Sequence, residues 1–262
     1  MNAIYRMAGT MIVTLALAGV AVTSVSAMDQ AVAEKNVVVT DDIKFEYSLW
    51  SKAMMAIAEG KPATLSKDFV IDIPPAPANT SAETQTELAL LKKYAAEERT
   101  PEQIEKIKSE NRSSSLYMIY AEQGLFDAGS HPLTSALIES VDAEVLYFTV
   151  REKKHFARAR PTQLDPELTT VIDVPPHAAY PSGHAAQSYS YALVLSALDP
   201  GNSEKYINLA LDIAHRREIA GVHYPSDSRS GQMLAKQVVE AMLKDEKIQQ
   251  RLVLAKKEFE TH

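Results

Sequence analysis

Apolar residues recur along most of the chain at intervals of three and four positions, the spacing that places them on one face of an α-helix. No stretch of the chain shows the strong alternation typical of strands, and no internal repeat is visible. Capping residues, glycines and prolines at the breaks of the pattern predict helices over residues 41–59, 81–98, 101–112, 134–159, 185–198, 203–220, 228–244 and 245–260. The sequence therefore predicts an all-α protein, a helical bundle.

Several local features refine this prediction. The first helix has an apolar stripe, expected to be core or a groove wall, formed by Phe45, Leu49, Trp50, Met54 and Ile57. Four prolines between residues 62 and 77 predict an extended arm. Charged residues around 105–112 are expected to face solvent, and His131 is expected in a surface loop.

Residues 1–27 have the pattern of a secretory signal peptide. Arg6 precedes an apolar run from Met7 to Val22, and small residues end the segment at Ala27. The run is short for a membrane span, although an uncleaved N-terminal anchor is the alternative. Cleavage would leave residues 28–262 as a single helical domain, in which residues 28–80 form the first helix and the arm.

Composition narrows the functional classes. The chain has no cysteine, so disulfides, thiol catalysis and thiolate zinc sites are excluded. Its formal net charge of −7 does not favour binding to nucleic acid or to an anionic membrane. An exported, periplasmic or secreted protein without stable membrane insertion after signal cleavage is expected.

The first candidate for chemistry is the pair Lys153 and Arg160. Their spacing of almost two helical turns predicts that both cations share one face, and Pro161 ends the element at Arg160. Arginine can bind a phosphate as a fork and lysine as a point charge. The alternative is a basic surface patch, because Arg151, Lys154 and Arg158 lie nearby.

The second candidate is Pro181-Ser182-Gly183-His184, which stands just before an apolar helical run. Ser182 is a preferred capping residue, so the backbone N–H groups of a helix start would lie here and could bind an anion. Gly183 would allow the anion to approach closely, and His184 can exchange a proton near neutral pH. A plain helix cap with an incidental histidine is the alternative.

The third candidate runs from Arg217 to Asp227. Gly221 ends one helix and Pro225 begins the approach to the next, which places His223 on a short rigid corner. Asp227 follows four residues later and could hold one ring nitrogen, leaving the other free as a nucleophile or base. The alternative is a structural histidine bonded to a helix-starting aspartate.

Together the three segments carry a more specific signal. Lys153-x6-Arg160-Pro161, Pro181-Ser182-Gly183-His184 and Arg217-x5-His223-x3-Asp227 resemble, in order and interval, the signature of the class A nonspecific acid phosphatases. These enzymes belong to the superfamily of type 2 phosphatidic acid phosphatases and vanadium haloperoxidases. The resemblance extends from about residue 80 to the C-terminus and implies the helical bundle of that superfamily.

The resemblance implies a metal-independent acid phosphatase without a cofactor, acting on small phosphomonoesters. His223 would be phosphorylated, Asp227 would hold it, and His184 would protonate the leaving alcohol and then activate water. The phosphate would be bound by Lys153, Arg160, Ser182, Gly183 and Arg217. No role is implied for His155, His177 or His215, although His177 could line the mouth of the site and His215 is expected to be structural.

Two positions depart from the family pattern. Arg216 stands where the family usually has serine, so phosphate affinity or substrate range is expected to differ, and Ala185 stands where threonine is frequent. A vanadate-dependent haloperoxidase, a lipid-phosphate phosphatase and a non-catalytic anion-binding protein remain alternatives. The natural substrate and the oligomeric state stay open. Tyr117, Met118 and Phe126 are candidates for the pocket wall.

Overall fold

The computed structural model of the protein describes residues 38–112 and 116–260. The predicted signal peptide, residues 1–27, lies outside these ranges. Within them the secondary structure is helical and no strand is formed; an isolated bridge joins Lys44 to Arg158. The all-α prediction is therefore confirmed. No helix in the described ranges has the length and apolar character needed to cross a bilayer.

The helices of the described ranges are, in chain order, α1 (Lys52–Glu59), α2 (Ala82–Glu97), α3 (Pro101–Arg112), α4 (Met118–Glu122), α5 (Pro132–Phe156), α6 (Pro161–Leu164), α7 (Gly183–Leu198), α8 (Ser203–Ile219), α9 (Pro225–Met242) and α10 (Glu246–Glu260). Short 3-10 turns stand at Tyr47–Leu49 and Pro200–Asn202.

Serine caps explain where three of these helices begin. The side chain of Ser51 accepts a hydrogen bond from the backbone of Met54, and Ser81 accepts one in the same way at the start of α2. Ser182 caps α7 by accepting from the backbone N–H of Ala185. Each cap satisfies a backbone donor that has no partner inside the helix, so the chain begins to coil at that residue.

The predicted first helix is wrong in its extent. Residues 41–50 are not α-helical, because Phe45 donates its backbone N–H to Ala157 instead, and the helix begins only after the Ser51 cap. Phe45 and Trp50 are nevertheless buried, as expected of the stripe, whereas Leu49 is exposed. The prolines of residues 61–80 do keep this segment free of helix, in agreement with the predicted arm.

Helices α5, α7, α8 and α9 pack around the main apolar core, which includes Phe148, Leu195, Ile213, Leu234 and Val238. The start of α7 lies directly against α9 at Gly231. A Cβ at this glycine would stand 2.5 Å from the carbonyl oxygen of Ser182. Only glycine therefore allows α9 to approach the segment from which the second candidate motif projects.

Two further expectations need correction. His131 is buried rather than on a surface loop, because it directly precedes α5 and its ring packs on Phe259. Glu110, in the charged stretch that was expected to face solvent, is also buried, since its carboxylate pairs with Arg216 of α8. Both residues depend on partners more than one hundred positions away in the sequence.

Candidate active site

The three candidate motifs meet at one cavity of about 200 Å³. Of the predicted site residues, five line it, namely Lys153, Gly183, His184, Arg217 and His223. The other three lie in contact with these: Arg160 and Asp227 hydrogen-bond to His223, and Ser182 caps the helix that carries His184. Segments separated by up to 74 positions, from Lys153 to Asp227, are thus brought to one space.

His223 is held by hydrogen bonds on both ring nitrogens. Its Nδ1 lies 2.9 Å from Oδ2 of Asp227, and its Nε2 lies 3.0 Å from Nη1 of Arg160. Arginine can only donate, so Nε2 is the acceptor and Nδ1 carries the proton that is donated to Asp227. This tautomer leaves an unprotonated nitrogen on the cavity side of the ring, as a nucleophile requires.

Asp227 is fixed by α9 and by a buried arginine. It occupies the third position of α9, where its Oδ2 also accepts the backbone N–H of Tyr224 at 3.0 Å. Its Oδ1 accepts a 2.7 Å hydrogen bond from Nη1 of Arg158. Burial alone would raise the pKa of Asp227, but the Arg158 guanidinium and the bond to His223 outweigh it and hold that pKa below its usual range.

Arg158 is the functional residue that sequence reasoning missed. It is 3% exposed, although the sequence analysis named it only in the alternative of a basic surface patch. Besides Asp227 it contacts Ser226 Oγ at 2.7 Å and Glu87 Oε2 at 3.2 Å, and its guanidinium lies 3.9 Å from the Tyr224 ring. The only available sequence signal was the i, i+2 pattern with Arg160, which in an extended segment puts the two arginines on the same side.

Lys153 and Arg160 converge, but not on one helical face as predicted. Helix α5 ends at Phe156, and Ala157 takes a left-handed conformation with φ of 49°. Arg160 then lies on extended backbone before Pro161, since proline disfavours helix at the preceding residue. The turn at Ala157 therefore brings Arg160 to the cavity from outside the helix that carries Lys153.

Both cations are oriented by backbone carbonyls. The Nζ of Lys153 donates to the carbonyl oxygens of Ala178 and Ala179 at 2.8 and 2.9 Å. Arg160 donates from Nη1 to Val222 O at 2.7 Å and from Nε to His177 O at 3.0 Å. Burial lowers the pKa of Lys153 well below its usual range, and the charge of Arg160 lowers it further. Burial also lowers the pKa of Arg160 to about 10.

Arg217 and His184 present polar atoms that have no partner elsewhere in the described ranges. These atoms are Nε and Nη1 of Arg217 and Nε2 of His184, all of them buried. Within the part of the chain that the structure describes, the hydrogen bond of the Arg217 guanidinium is a long 3.4 Å contact from Nη2 to Ile107 O. Unsatisfied donors at a buried cationic site are costly for folding, and an oxyanion in the cavity would satisfy them.

The two histidines share a cationic environment. Burial lowers the pKa of His184 well below 6.5, and the nearby charge of Arg217 lowers it further. Burial and the charge of Arg160 likewise lower the pKa of His223, although Asp227 partly opposes them. Both rings are therefore neutral near pH 7 while the cavity holds no anion, and a bound dianion would raise both pKa values.

Arg216 does not add a cation to this cavity. Its Nε donates to Glu110 Oε1 of α3, and it lines a separate cleft with Lys106, Glu122 and Asp212. Burial raises the pKa of Glu110, and the charges of Arg216 and Arg217 oppose this rise. Arg216, which stands where the family usually has serine, thus forms an ion pair with the buried carboxylate of Glu110 on α3.

The substitution Arg216→Ser is therefore expected to affect folding more than catalysis. The free energy of unfolding should fall by about 1–3 kcal/mol, because Glu110 loses its buried partner. The value of kcat/KM should change by less than about tenfold, since Arg216 lies outside the cavity. Denaturant unfolding of this variant and of the double variant with Glu110→Gln measures the effect, and the second substitution should restore part of the stability.

Other sequence candidates fall at different distances from the site. His177 lines the cavity, and its Nδ1 lies 3.0 Å from Nη2 of Arg160. His215 instead lies between Glu218 and Glu98, which raise its pKa to about 9 although partial burial opposes them. The candidates for the pocket wall are wrong: Tyr117 and Phe126 are buried in the main core, and Met118 is partly exposed away from the cavity.

Comparison with known proteins supports a family assignment. Residues 133–243, which run from the start of α5 to the end of α9, match the family model of the PAP2 superfamily. A non-specific acid phosphatase of Providencia stuartii is 34% identical over 83 residues, which are 32% of this chain and 34% of that protein. An acid phosphatase of Zymomonas mobilis is 29% identical over 114 residues, 42% of this chain and 43% of the other.

The chain thus spans less than half the length of these two curated relatives. Among solved structures, a bacterial vanadium-dependent iodoperoxidase has a TM-score of 0.48 and 19% identity, and the match covers 70% of this chain and 53% of that one.

Proposed function

We propose that this chain, whose residues 133–243 match the family model of the PAP2 superfamily, is a member of that superfamily and an exported acid phosphatase that hydrolyses phosphomonoesters through a phosphohistidine on His223. His184 is the general acid and base of the reaction. The observation that carries this proposal is the cavity itself. An imidazole whose outer nitrogen is unprotonated lies there among Lys153, Arg160 and Arg217.

In the first half-reaction the lone pair of His223 Nε2 forms a bond to phosphorus while the bond from phosphorus to the ester oxygen breaks. Arg160 Nη1, which donates to Nε2 in the free enzyme, transfers its hydrogen bond to a phosphoryl oxygen. His184 gives its proton to the departing alcohol oxygen. Asp227 accepts a hydrogen bond from Nδ1–H throughout and stabilises the positive charge that develops on the ring.

In the second half-reaction a water molecule attacks phosphorus and the bond to Nε2 breaks. The neutral His184 takes a proton from that water and so returns to its starting state. Lys153, Arg160, Arg217 and the N–H groups at the start of α7 neutralise the non-bridging oxygens in both steps. Such positioning and charge neutralisation supply most of the catalysis in phosphoryl transfer.

Hydrolysis of a chromogenic phosphomonoester tests this function, and we expect kcat/KM to be highest below about pH 6.5. The pKa of His184 is lowered by burial and by Arg217, so the free enzyme carries the required proton only on the acid side of the usual histidine value. The rate should fall as pH rises, and EDTA should not abolish it. A profile that rises into strong alkali would contradict the assignment of His184.

Export is part of the same proposal. It rests on the charged start, apolar run and small residues of positions 1–27. Mass spectrometry of the mature protein from a periplasmic or culture fraction would locate the cleavage, which we place after Ala27.

A further inference from the structure

Thr149 carries a buried hydroxyl that the fold leaves without a partner. The residue is 0% exposed, and its Oγ1 has no hydrogen-bond partner in the described ranges. Threonine inside a helix commonly returns its hydroxyl to a carbonyl one turn earlier, and Thr149 does not. A buried hydroxyl without a partner lowers the stability of the fold, which indicates a role in binding a ligand rather than in folding.

The position of Thr149 in the fold indicates which ligand the hydroxyl would bind. Thr149 precedes Lys153 by one turn of α5, on the same helical face, and both line the proposed phosphate cavity. Three helices, α5, α7 and α8, thus bring unpartnered polar atoms to one space: Oγ1 of Thr149, Nε2 of His184, and Nε and Nη1 of Arg217.

The apolar side of the cavity is formed by Leu146 and Val150 of α5 and by Ile172, Pro175 and Val222. Asn111 and Gln187 also line the cavity, but within the described ranges neither hydrogen-bonds to the Thr149 hydroxyl. A phosphoryl group has several charged oxygens, and a hydroxyl that donates to one of them makes a short, charge-assisted hydrogen bond.

We propose that Thr149 is a further substrate-binding residue, whose hydroxyl donates a hydrogen bond to a phosphoryl oxygen beside Lys153. This inference rests on the proposed function, since it assigns a further contact to the same phosphate site. It also explains why the buried hydroxyl of Thr149 has no hydrogen-bond partner in the described ranges.

The isosteric substitution Thr149→Val tests the proposal, because it removes the hydroxyl and keeps the shape. With inorganic phosphate as the probe, calorimetry should show a Kd about tenfold higher or more. The Tm should rise by about 2–4 °C, since an unsatisfied buried group is lost. Thr149→Ser should restore most of the affinity, and Thr149→Ala replaces the valine variant if the latter does not fold.

Ser196→Ala is the matched control. Ser196 also has a buried hydroxyl without a partner in the described ranges, but it lies further along α7 and does not line the cavity. This variant should gain Tm while its Kd for phosphate stays unchanged. A higher Tm together with weaker phosphate binding in Thr149→Val therefore distinguishes a ligand-binding hydroxyl from a purely structural one.

An unchanged Kd for phosphate in Thr149→Val would overturn the proposal, whatever its Tm. A lower kcat/KM with an unchanged Kd would also overturn it, because it would place the hydroxyl on the alcohol part of the substrate. If the wild-type protein binds phosphate but hydrolyses no ester, the proposed function fails, and the phosphate titration still decides the role of Thr149.

Discussion

The substitution His223→Ala is expected to abolish hydrolysis of phosphomonoesters, with kcat lower by about 10⁴-fold or more. The proposed reaction passes through a bond between phosphorus and Nε2 of this ring, and alanine offers no nucleophile in its place. The neighbouring cations would still bind the substrate, so the loss should appear mainly in kcat rather than in KM. Steady-state kinetics on a chromogenic ester measures both constants.

The fold should survive this change. Without His223, Asp227 keeps its bond to the Tyr224 backbone and its ion pair with Arg158, so no buried carboxylate is left without a partner. His215→Ala provides the control, because its ring pairs with Glu98 and Glu218 away from the cavity and should leave kcat unchanged. Substantial turnover by a folded His223→Ala protein would remove this histidine from the mechanism.

Features that depend on local chemistry were predictable from the sequence. The cap at Ser81, the proline at the start of α3 and the corner between α8 and α9 each follow from residues within one or two turns. The contact between His223 and Asp227 belongs to the same class, since four residues at a helix start place their side chains within reach. The roles of the site residues remain proposals that kinetics must test.

Features that depend on distant partners could not be predicted. Glu110 and Arg158 carry full charges, which in a sequence indicate a solvated surface. Their burial is possible only because Arg216 pairs with one and both Glu87 and Asp227 with the other, and these partners lie on other helices. A single sequence gives no signal for such pairing, so Glu110 was expected to face solvent and Arg158 was considered only as part of a possible surface patch.

The predicted helical face of Lys153 and Arg160 failed for a different reason. Their seven-residue spacing fits two turns of helix, but α5 ends before the second cation, and Ala157 turns the chain with a positive φ. Alanine rarely takes this conformation, so nothing in the local sequence indicates the turn. The two cations do lie close together, as expected, but the shared helical face from which this was predicted does not exist. They meet because the chain turns at Ala157.

The site consequently depends on a layer of residues behind the cavity. Glu87 of α2 accepts from Arg158, from the backbone N–H of Ser226 at 2.6 Å and from its hydroxyl at 2.7 Å. Arg158 in turn holds Asp227, which holds His223. The orientation of the proposed nucleophile is thus tied to a helix that precedes the matched family region.

Removing the central cation of this layer, by Arg158→Met, is expected to lower the free energy of unfolding by about 3–5 kcal/mol at pH 7. Methionine keeps much of the volume but removes the buried cation that pairs with Asp227 and with Glu87, both almost fully buried, and leaves Glu87 only the exposed Arg229. Arg229→Met is the matched control, because Arg229 also pairs with Glu87 but is 59% exposed at its side chain. That variant should lose less than about 1 kcal/mol. Denaturant unfolding of both proteins gives the comparison.

The difference between wild type and Arg158→Met should shrink as the pH falls. In the wild type, Asp227 has a pKa below its unfolded value, so its stabilising contribution is present at neutral pH and is lost only as pH falls through the low folded pKa. In the variant, burial raises that pKa above the unfolded value near 3.9, so the carboxyl takes up a proton and its destabilising effect is relieved under mild acid. Unfolding measured between pH 7 and about pH 4 should show the gap narrowing. A gap that stays constant over this range would mean that the Asp227 carboxylate is not the group that Arg158 stabilises.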